Sequence, residues 1–162
     1  MLTVRKAHTK DIPKIMELLR QVHGIHYAIR PDIFKPTTTK YTVQELSGIM
    51  ADSSRPIFVA VDGSSAVQGY AFCIIKEVKD NLLLCDRLEV YIDDLCVEGN
   101  HRGEHIGSEL YQHVVSYAKE LKADYVTLNV WEGNNSAKAF YEAMGMAPRS
   151  TTMEINIREN DR

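Results

Sequence analysis

The alternation of apolar and polar residues along the chain predicts six strands. Apolar residues that alternate with polar ones are typical of strands with one buried face, and runs of β-branched and aromatic residues are typical of interior strands. These patterns predict strands at residues 2–7, 56–61, 66–75, 82–97, 124–131 and 150–157, the fourth being one strand or a bent pair. Asp62-Gly63-Ser64-Ser65 is a turn signal, so the second and third strands should form a hairpin.

Apolar residues recur at helical spacing in the segments between these strands. Helices with one apolar face are predicted at residues 12–22, 43–50, 106–121 and 134–144. Thr42 and Glu45 fit a capping box at the start of the second helix, and Gly145 ends the fourth. The third helix connects two strands as a crossover, which implies that those strands are parallel. The sequence therefore predicts one α+β domain, residues 1–162, with a mixed sheet.

The segment between the first two helices shows no clean period. It contains two prolines, and its side chains include His26, Tyr27, Arg30, Asp32 and Phe34. One interpretation is a surface loop with a few packed aromatic residues. The other is one wall of a substrate pocket, because binding residues concentrate on such loops. The pattern alone favours neither.

The fourth strand combines two unusual features. Asp93 and Asp94 lie in the middle of an apolar run, one predicted on each face, where a carboxylate is costly unless it has a partner. Beyond the strand, Gly103 and Gly107 flank the entry to a long helix. Such an entry leaves backbone N–H groups free at the positive end of a helix dipole, which suits a phosphate group. We therefore expect an acidic site beside an anion-binding loop.

Composition limits the partners. The chain has a net charge of −3 and no apolar run near the ~20 residues that a membrane-spanning helix needs, so neither nucleic acid nor a membrane is an expected partner. Cys73, Cys85 and Cys96 are odd in number and lie in apolar runs, which predicts reduced, buried thiols in a cytoplasmic protein. Cys96 is the only candidate for a reactive thiol, because it neighbours the two acids.

Several common motifs are missing from the sequence. The glycines spell neither G-x-G-x-x-G nor a P-loop, and there is no G-x-S-x-G elbow. His23 and His26 lie three apart but have no obvious third ligand, so no metal site is predicted.

Two segments resemble a known family. Val97-x-x-x-x-Arg102-Gly103-x-x-Ile106-Gly107-Ser108 resembles the acetyl-CoA-binding motif of the GCN5-related N-acetyltransferase (GNAT) family, and so does Asn134-x-x-Ala137-x-x-Phe140-Tyr141-x-x-x-Gly145. Residues 91–97 look like the acidic strand of its spermidine/spermine and thialysine acetyltransferase branch. One position departs from the pattern, since His105 stands where the family has the first motif glycine. If that position needs a positive φ, histidine bears a modest strain.

The resemblance implies a fold and a cosubstrate. The fold would be a three-layer α/β/α acyl-CoA N-acyltransferase fold, with a mixed, mostly antiparallel sheet of about seven strands and four helices. The cosubstrate would be acetyl-CoA, without a metal. Its pantetheine arm and pyrophosphate would be bound by Leu95, Cys96, Val97, Arg102, Gly103, Glu104, His105, Ile106, Gly107, Ser108, Asn134 and Tyr141. Arg102 can be read as a phosphate contact or as a solvated charge.

The resemblance also implies catalytic roles. Tyr141 matches the family's general acid, which protonates the departing thiolate, although its spacing alone would also suit a core aromatic residue. Asp93 is the first choice of general base and Glu89 the second; alternatively, Asp93 anchors a cationic substrate. Asp94 is expected on the other face in a structural role, hydrogen-bonded to amides. Tyr27, Arg30, Phe34 and Asp93 are the predicted substrate-binding residues.

The leading hypothesis is an N-acetyltransferase that acts on a small, cationic primary amine. The alternatives are a protein lysine or N-terminal acetyltransferase, a non-catalytic acyl-CoA-binding or sensing module on the same fold, and a nucleotide-binding regulatory domain. The resemblance also suggests a homodimer, built partly from the terminal strand at 151–157.

Overall fold

A computed structural model of the chain describes residues 1–160, with the side chains of residues 159 and 160 left out of the description. Its strands are β1 (Thr3–Lys6), β2 (Ile57–Val61), β3 (Val67–Val78), β4 (Arg87–Val97) and β5 (Tyr125–Leu128). Its helices are α1 (Ile12–Ile29), α2 (Val43–Ala51), α3 (Ile106–Glu120), α4 (Asn135–Ala143) and the single-turn α5 (Ile157–Asn160). Short 3-10 turns cover Thr9–Asp11 and Gly99–His101.

The strands form one mixed sheet in chain order. β1 to β4 are antiparallel neighbours, and β5 pairs with β4 in parallel, as the crossover through α3 predicts. The expectation of about seven strands is wrong, because the sheet within the described residues has five. The strand predicted at residues 150–157 is absent there: residues 150–156 have no regular secondary structure, and residue 157 begins α5. Alternation alone does not make a strand, because strand preference depends on packing against cross-strand neighbours.

Helices cover both faces of the sheet. On one face, α1 and α2 pack apolar side chains against Val59, Tyr70, Phe72 and Cys96. On the other, α3 packs Tyr117 against Phe58. This confirms the three-layer architecture. The compact unit that these elements build spans Met1–Trp131, and the chain from Glu132 onward forms a second unit that contains α4 and α5.

α1 is longer than its sequence pattern predicts. The predicted helix covers residues 12–22, but α1 continues for about two more turns, to Ile29. A Cβ added at Gly24 would meet no atom within 4 Å, so this glycine lies on an open surface. Glycine inside a helix costs about 1 kcal/mol of stability relative to alanine, and α1 tolerates this cost. Pro31 disfavours helical backbone at the preceding residue, Arg30, and the helix stops there.

The start of α2 has the capping interactions that its sequence predicts. The capping box is confirmed: Glu45 N–H donates to Thr42 Oγ1 at 3.1 Å, and Thr42 N–H donates to Glu45 Oε2 at 2.8 Å.

The prediction that the fourth strand begins at residue 82 is wrong, because residues 79–86 form the turn between β3 and β4. Cys85 lies in that turn and is exposed, whereas Cys73 and Cys96 are buried as expected.

Candidate active site

A β-bulge interrupts β4 at the two acidic residues. Ile92 lies opposite Cys73 of β3 and Asp94 lies opposite Phe72, so Asp93 is an extra residue with no counterpart. An extra residue breaks the alternation of side chains, and bulges are frequent beside active sites. The bulge is therefore the feature that determines where the two carboxylates point.

Both carboxylates contact one aromatic cluster, which consists of Tyr41, Phe72 and Tyr70. The Tyr41 and Tyr70 rings pack against Phe72, with centroids 5.7 and 4.9 Å away. The Tyr41 hydroxyl donates to Asp93 Oδ2 at 2.9 Å, and the Tyr70 hydroxyl donates to Asp94 Oδ2 at 2.8 Å. The expectation that Asp94 faces the opposite side is therefore wrong, since strict alternation does not hold through a bulge. Besides the Tyr70 hydroxyl, Asp94 has a main-chain amide partner, the N–H of Leu95, whose hydrogen bond lowers the pKa of the carboxyl.

Asp94 is the carboxylate whose proton affinity is most altered. Removal from water raises the pKa of its carboxyl from 3.8 to about 6. Its partner Tyr70 is fully buried, and burial together with the negative charge of Asp94 raises the pKa of that hydroxyl well above 10. Tyr70 therefore stays protonated and holds one carboxylate oxygen in place. A carboxylate with a pKa near neutrality can accept a proton from a substrate.

Asp93 is surrounded by donors. Besides Tyr41, the ammonium of Lys40 lies 2.9 Å from Asp93 Oδ2 and 3.4 Å from the main-chain oxygen of Asp93. Tyr41 also accepts a hydrogen bond of 3.0 Å from Arg55 Nη2, and burial raises the pKa of its hydroxyl to about 12. Asp93 therefore already binds one cation, the ammonium of Lys40.

Glu89, the second predicted base, lies on the same strand before the bulge. It is buried, and Arg87 Nε donates to its Oε1 at 2.8 Å. Between Glu89 and Asp93, the Tyr91 ring lies under Lys76 Nζ, which is 3.8 Å from the ring centroid. The acidic residues on this face thus alternate with cations from β3 and from the strand itself.

The edge of β4 is open beyond the bulge. The parallel pairing with β5 ends at Ile92 and Leu128, whereas β4 continues to Val97. The main-chain N–H of Glu98 donates to Gln68 O, so these two residues form a hydrogen-bonded pair between β4 and β3. Hydrogen-bonded and non-hydrogen-bonded pairs alternate along an antiparallel ladder, so Leu95 and Val97 turn their main-chain groups away from β3. Cys96 lies between them and turns its own groups toward β3. Leu95 and Val97 therefore turn main-chain groups toward this edge, where an extended ligand can pair with the strand; the Val97 oxygen there also accepts from Gln21 Nε2.

Gln21 is a functional candidate that sequence reasoning missed. From α1, its Nε2 donates to Val97 O at 3.0 Å, and its Oε1 accepts from Gly99 N–H at 3.3 Å. It thereby fixes the end of β4 and the start of the loop into α3. Its place near the end of a predicted amphipathic helix gave no signal, because nothing in the sequence shows which loop that end meets.

The loop from Gly99 to α3 has the shape expected of an anion site. Gly103 has a φ of 87° and His105, at the N-cap of α3, a φ of 62°. The first N–H groups of a helix lack intrahelical partners, and here they follow a loop with two left-handed residues. The Arg102 side chain is exposed at this loop. His105 is also exposed, so its side chain points to solvent at the position where the family has glycine.

Cys96 is not a reactive thiol. Its side chain is buried in the core between α1 and the sheet, and burial raises the pKa of the thiol to about 12. A thiol with so high a pKa is almost entirely protonated at neutral pH and is a poor nucleophile.

The predicted substrate wall is an aromatic cluster at the C-terminal end of α1. Phe34 stacks on His26 with centroids 5.3 Å apart and packs edge-on against Trp131 at 5.2 Å. Burial lowers the pKa of His26, and the nearby charge of Lys40 lowers it further. Tyr27 is half-buried on α1, and Arg30 forms an ion pair with Asp32. The wall is therefore formed by a helix end and by the loop that follows it.

The second unit contains the remaining predicted residues. Asn134 caps α4, its side chain accepting from Ala137 N–H at 3.4 Å. Tyr141 lies on α4 with its ring 5.1 Å from that of Phe140, and its side chain is half-buried.

The described residues show neither a metal cluster nor a membrane span. Residues 1–160 contain no group of three or more His, Cys, Asp or Glu side chains arranged to bind a metal ion. Within the same range, no helix is both long enough and apolar enough to cross a bilayer.

The main-chain groups at the end of β4 and at the start of α3 fit an acyl-CoA. A long, extended pantetheine arm needs hydrogen-bonding groups along one edge, which Leu95 and Val97 supply, and a pyrophosphate needs clustered amides, which the start of α3 supplies.

Comparison with known proteins identifies the family. The model of the acetyltransferase (GNAT) family matches residues 17–146, and the chain belongs to that family. A comparison with curated protein sequences found no match.

Three solved structures illustrate the likeness. A mutant of the BH1408 protein from Bacillus halodurans is 29% identical, with a TM-score of 0.92 over 96% of this chain and 99% of that chain. An aminoglycoside acetyltransferase from an uncultured soil metagenomic sample, in complex with sisomicin, is 16% identical, with a TM-score of 0.73 over 96% and 94%. Glucosamine-6-phosphate N-acetyltransferase from Arabidopsis thaliana is 21% identical, with a TM-score of 0.70 over 97% and 99%. The last two show the shared fold.

Proposed function

We propose that the protein transfers the acetyl group of acetyl-CoA to a primary amine of a small, cationic acceptor, by direct attack in a ternary complex. The single observation that supports this most is the bulge of β4, where two carboxylates lie beside the open strand edge. A base, a cation anchor and main-chain hydrogen-bonding groups would then lie within one segment of β4, residues 93–97.

Main-chain groups would hold and activate the donor. When bound, acetyl-CoA supplies an acetyl thioester, the acyl group to be transferred. The amides from Arg102 to Ser108 would bind its pyrophosphate at the N-terminus of α3. Leu95 and Val97 would pair with the pantetheine arm, and the N–H of Leu95 would stabilise the negative charge that develops on the carbonyl oxygen.

The two carboxylates would divide the work on the acceptor. Asp94, with its raised pKa, would take a proton from the incoming amine, directly or through water. Asp93 would bind the cationic group of the acceptor, the second of the two roles considered for it. This differs from the expectation from the sequence, in which Asp93 was the first choice of base, Glu89 the second, and Asp94 had a structural role. Glu89 is paired with Arg87, which favours a supporting charge over proton transfer.

Tyr141 would act as the general acid. A phenol is mostly protonated at neutral pH, so it can give a proton to the departing thiolate. The support for this role is the match of Tyr141 to the family motif on α4.

The acceptor class follows from the site's surroundings. Asp93 and Glu89 favour a cation, while His26, Phe34 and Trp131 offer aromatic faces against which an alkyl or ammonium group can pack. A polyamine, a diamino acid or a lysine-like side chain combines these properties.

The test is release of free thiol from acetyl-CoA in the presence of an amine panel. The panel contains a polyamine, a diamino acid, an aminosugar, and peptides with a lysine or a free N-terminus. Thiol release with a small cationic amine, lost in Asp94→Asn, is the expected result. Release with peptides alone would favour a protein acetyltransferase. Binding of CoA without any release would favour a sensing module, and equal calorimetric affinity for ADP and CoA would favour a nucleotide-binding domain.

We also propose that the protein is a homodimer assembled through its C-terminal tail. Met153, Ile155 and Ile157 alternate with polar residues and are 86%, 71% and 63% exposed. An extended segment of this pattern can add to a sheet edge of a second copy. Sedimentation at micromolar concentration should give a dimer, and Ile155→Glu should give a monomer; a monomeric wild-type chain would contradict the proposal.

A further inference from the structure

Lys40 occupies the place where an acceptor amine would be expected. Its ammonium binds both the carboxylate and the main-chain oxygen of Asp93, at 2.9 and 3.4 Å. The side chain remains 40% exposed, and it comes from the loop between α1 and α2 rather than from the sheet. A primary amine of this chain is therefore bound by the acid that is proposed to anchor the substrate.

The position of Lys40 relative to the strand edge is the second part of the argument. Asp93 is the bulged residue, and the open edge of β4 begins there, where pairing with β5 ends. Leu95, whose N–H is turned to that edge, is two residues further along the strand. An acyl carbonyl bound to the Leu95 N–H would therefore lie within a few residue lengths of Lys40 Nζ, which contacts Asp93 two residues earlier on the same strand.

The neighbouring groups provide a proton acceptor and a fixed position for the Lys40 amine. Asp94 lies next to Asp93 and provides a second carboxylate on the same aromatic cluster. Tyr41 follows Lys40 in the chain, and its bond to Asp93 holds the backbone of Lys40 beside the bulge. Lys35 lies in the same loop and is exposed, and its backbone oxygen bonds to His23. It is therefore a lysine of the same segment whose surroundings differ from those of Lys40.

We propose that Lys40 is an acyl acceptor within its own chain, so that the protein acetylates itself at Lys40 when no free amine is present. This inference rests on the proposed function. In the reaction, Lys40 Nζ loses a proton to a carboxylate of the bulge and then attacks the thioester carbonyl. An N–C bond forms and the C–S bond breaks. The nitrogen gives up a second proton, which passes to the departing thiolate, so CoA leaves as the free thiol; the carboxylate passes its own proton to water.

The modification would change the site. An acetylated Lys40 has no positive charge, so it no longer forms an ion pair with Asp93. Asp93 then becomes available to the cationic group of an incoming acceptor. Self-acetylation would therefore lower the KM for a cationic amine.

The experiment follows acetylation by peptide mass spectrometry. Full-length protein, first treated with a lysine deacetylase, is incubated with isotope-labelled acetyl-CoA and no amine. Labelling of Lys40 should be at least ~10-fold faster than labelling of Lys35, because only Lys40 is held in place. Its rate constant should not depend on protein concentration, as an intramolecular step requires. Asp94→Asn should slow Lys40 labelling at least ~10-fold and leave Lys35 labelling unchanged.

Parallel measurements separate the two proposals. Lys40→Arg keeps the charge opposite Asp93 but should show no labelling at position 40, and it serves as the matched control. Equal labelling of Lys40 and Lys35, or a Lys40 rate that rises with protein concentration, would overturn the inference. If the amine panel releases thiol while Lys40 stays unlabelled, the inference fails and the proposed function stands. Labelling of Lys40 without any thiol release by free amines would support the inference and contradict the proposed small-molecule function.

Discussion

The hydroxyl of Tyr70 donates a 2.8 Å hydrogen bond to Asp94 and holds this carboxylate at the bulge of β4. Because removal from water raises the pKa of Asp94 to about 6, kcat/KM should rise with pH through about 6 and then level. Asp94→Asn should lower kcat ~100-fold or more and abolish this acidic limb. Asp93→Asn, the matched change one residue away, should mainly raise the KM for the amine. The opposite pattern in the two variants would return the base role to Asp93.

The same carboxyl makes stability depend on pH. Its pKa is about 6 in the fold against an ordinary value of 3.8. Because the pKa of Asp94 is higher in the folded state than in the unfolded state, its protonation stabilises the fold. This contribution to the free energy of unfolding is fully present below the unfolded pKa and is lost as pH rises through about 6. The stability of Asp94→Asn relative to wild type should therefore be greater at about pH 7.5 than at about pH 4. Urea unfolding at both pH values measures this, and a pH-independent difference would contradict the raised pKa.

Replacing Tyr141 tests the general acid. Tyr141→Phe removes only the hydroxyl, so turnover should fall at least ~10-fold while acetyl-CoA affinity changes little. Tyr117→Phe is the control, because its ring packs on Phe58 under α3. Stopped-flow turnover and calorimetric binding separate the two effects. Unchanged turnover in Tyr141→Phe would remove this residue from the acid role.

Gly69 allows α3 to approach the sheet. A Cβ at this position would lie 2.7 Å from Cys96 O and 3.1 Å from a methyl group of Leu110. Gly69→Ala should therefore destabilise the fold by ~1–3 kcal/mol, because the contact with backbone cannot relax easily. Gly48→Ala, in the exposed interior of α2 where a Cβ meets nothing within 4 Å, should stabilise it by ~0.5–1 kcal/mol. Thermal unfolding should shift in opposite directions, and equal shifts would be inconsistent with this packing.

The left-handed backbone of His105 can be tested with two substitutions. At a φ of 62°, glycine bears no Cβ penalty, whereas a β-branched residue bears more than histidine. His105→Gly should leave stability near that of wild type, because relief of strain offsets the added freedom of the unfolded chain. His105→Val should be less stable than His105→Gly by ~1–2 kcal/mol. Acetyl-CoA should bind His105→Gly at least as tightly as wild type, and equal stability of the two variants would argue against the strain.

The sequence indicated those structural features whose interacting groups lie within a few residues of each other. The capping box of Thr42 and Glu45 is confirmed because both partners lie within one helical turn. The question raised at His105 was answered by its positive φ. The bulge at Asp93 was not predicted, because the extra residue is defined only by pairing with β3. Gln21 was missed for the same reason, since its partners are 76 and 78 residues away.

The open edge of β4 has a further consequence for the life of the protein. Over residues 93–97, the sheet of the described chain has a neighbour on the β3 side alone. A ligand that pairs with this edge binds only the folded state, so it stabilises the fold in proportion to the logarithm of its concentration. If that ligand is the acyl carrier, the temperature at which the protein unfolds should rise with carrier concentration, so heat resistance would report carrier supply.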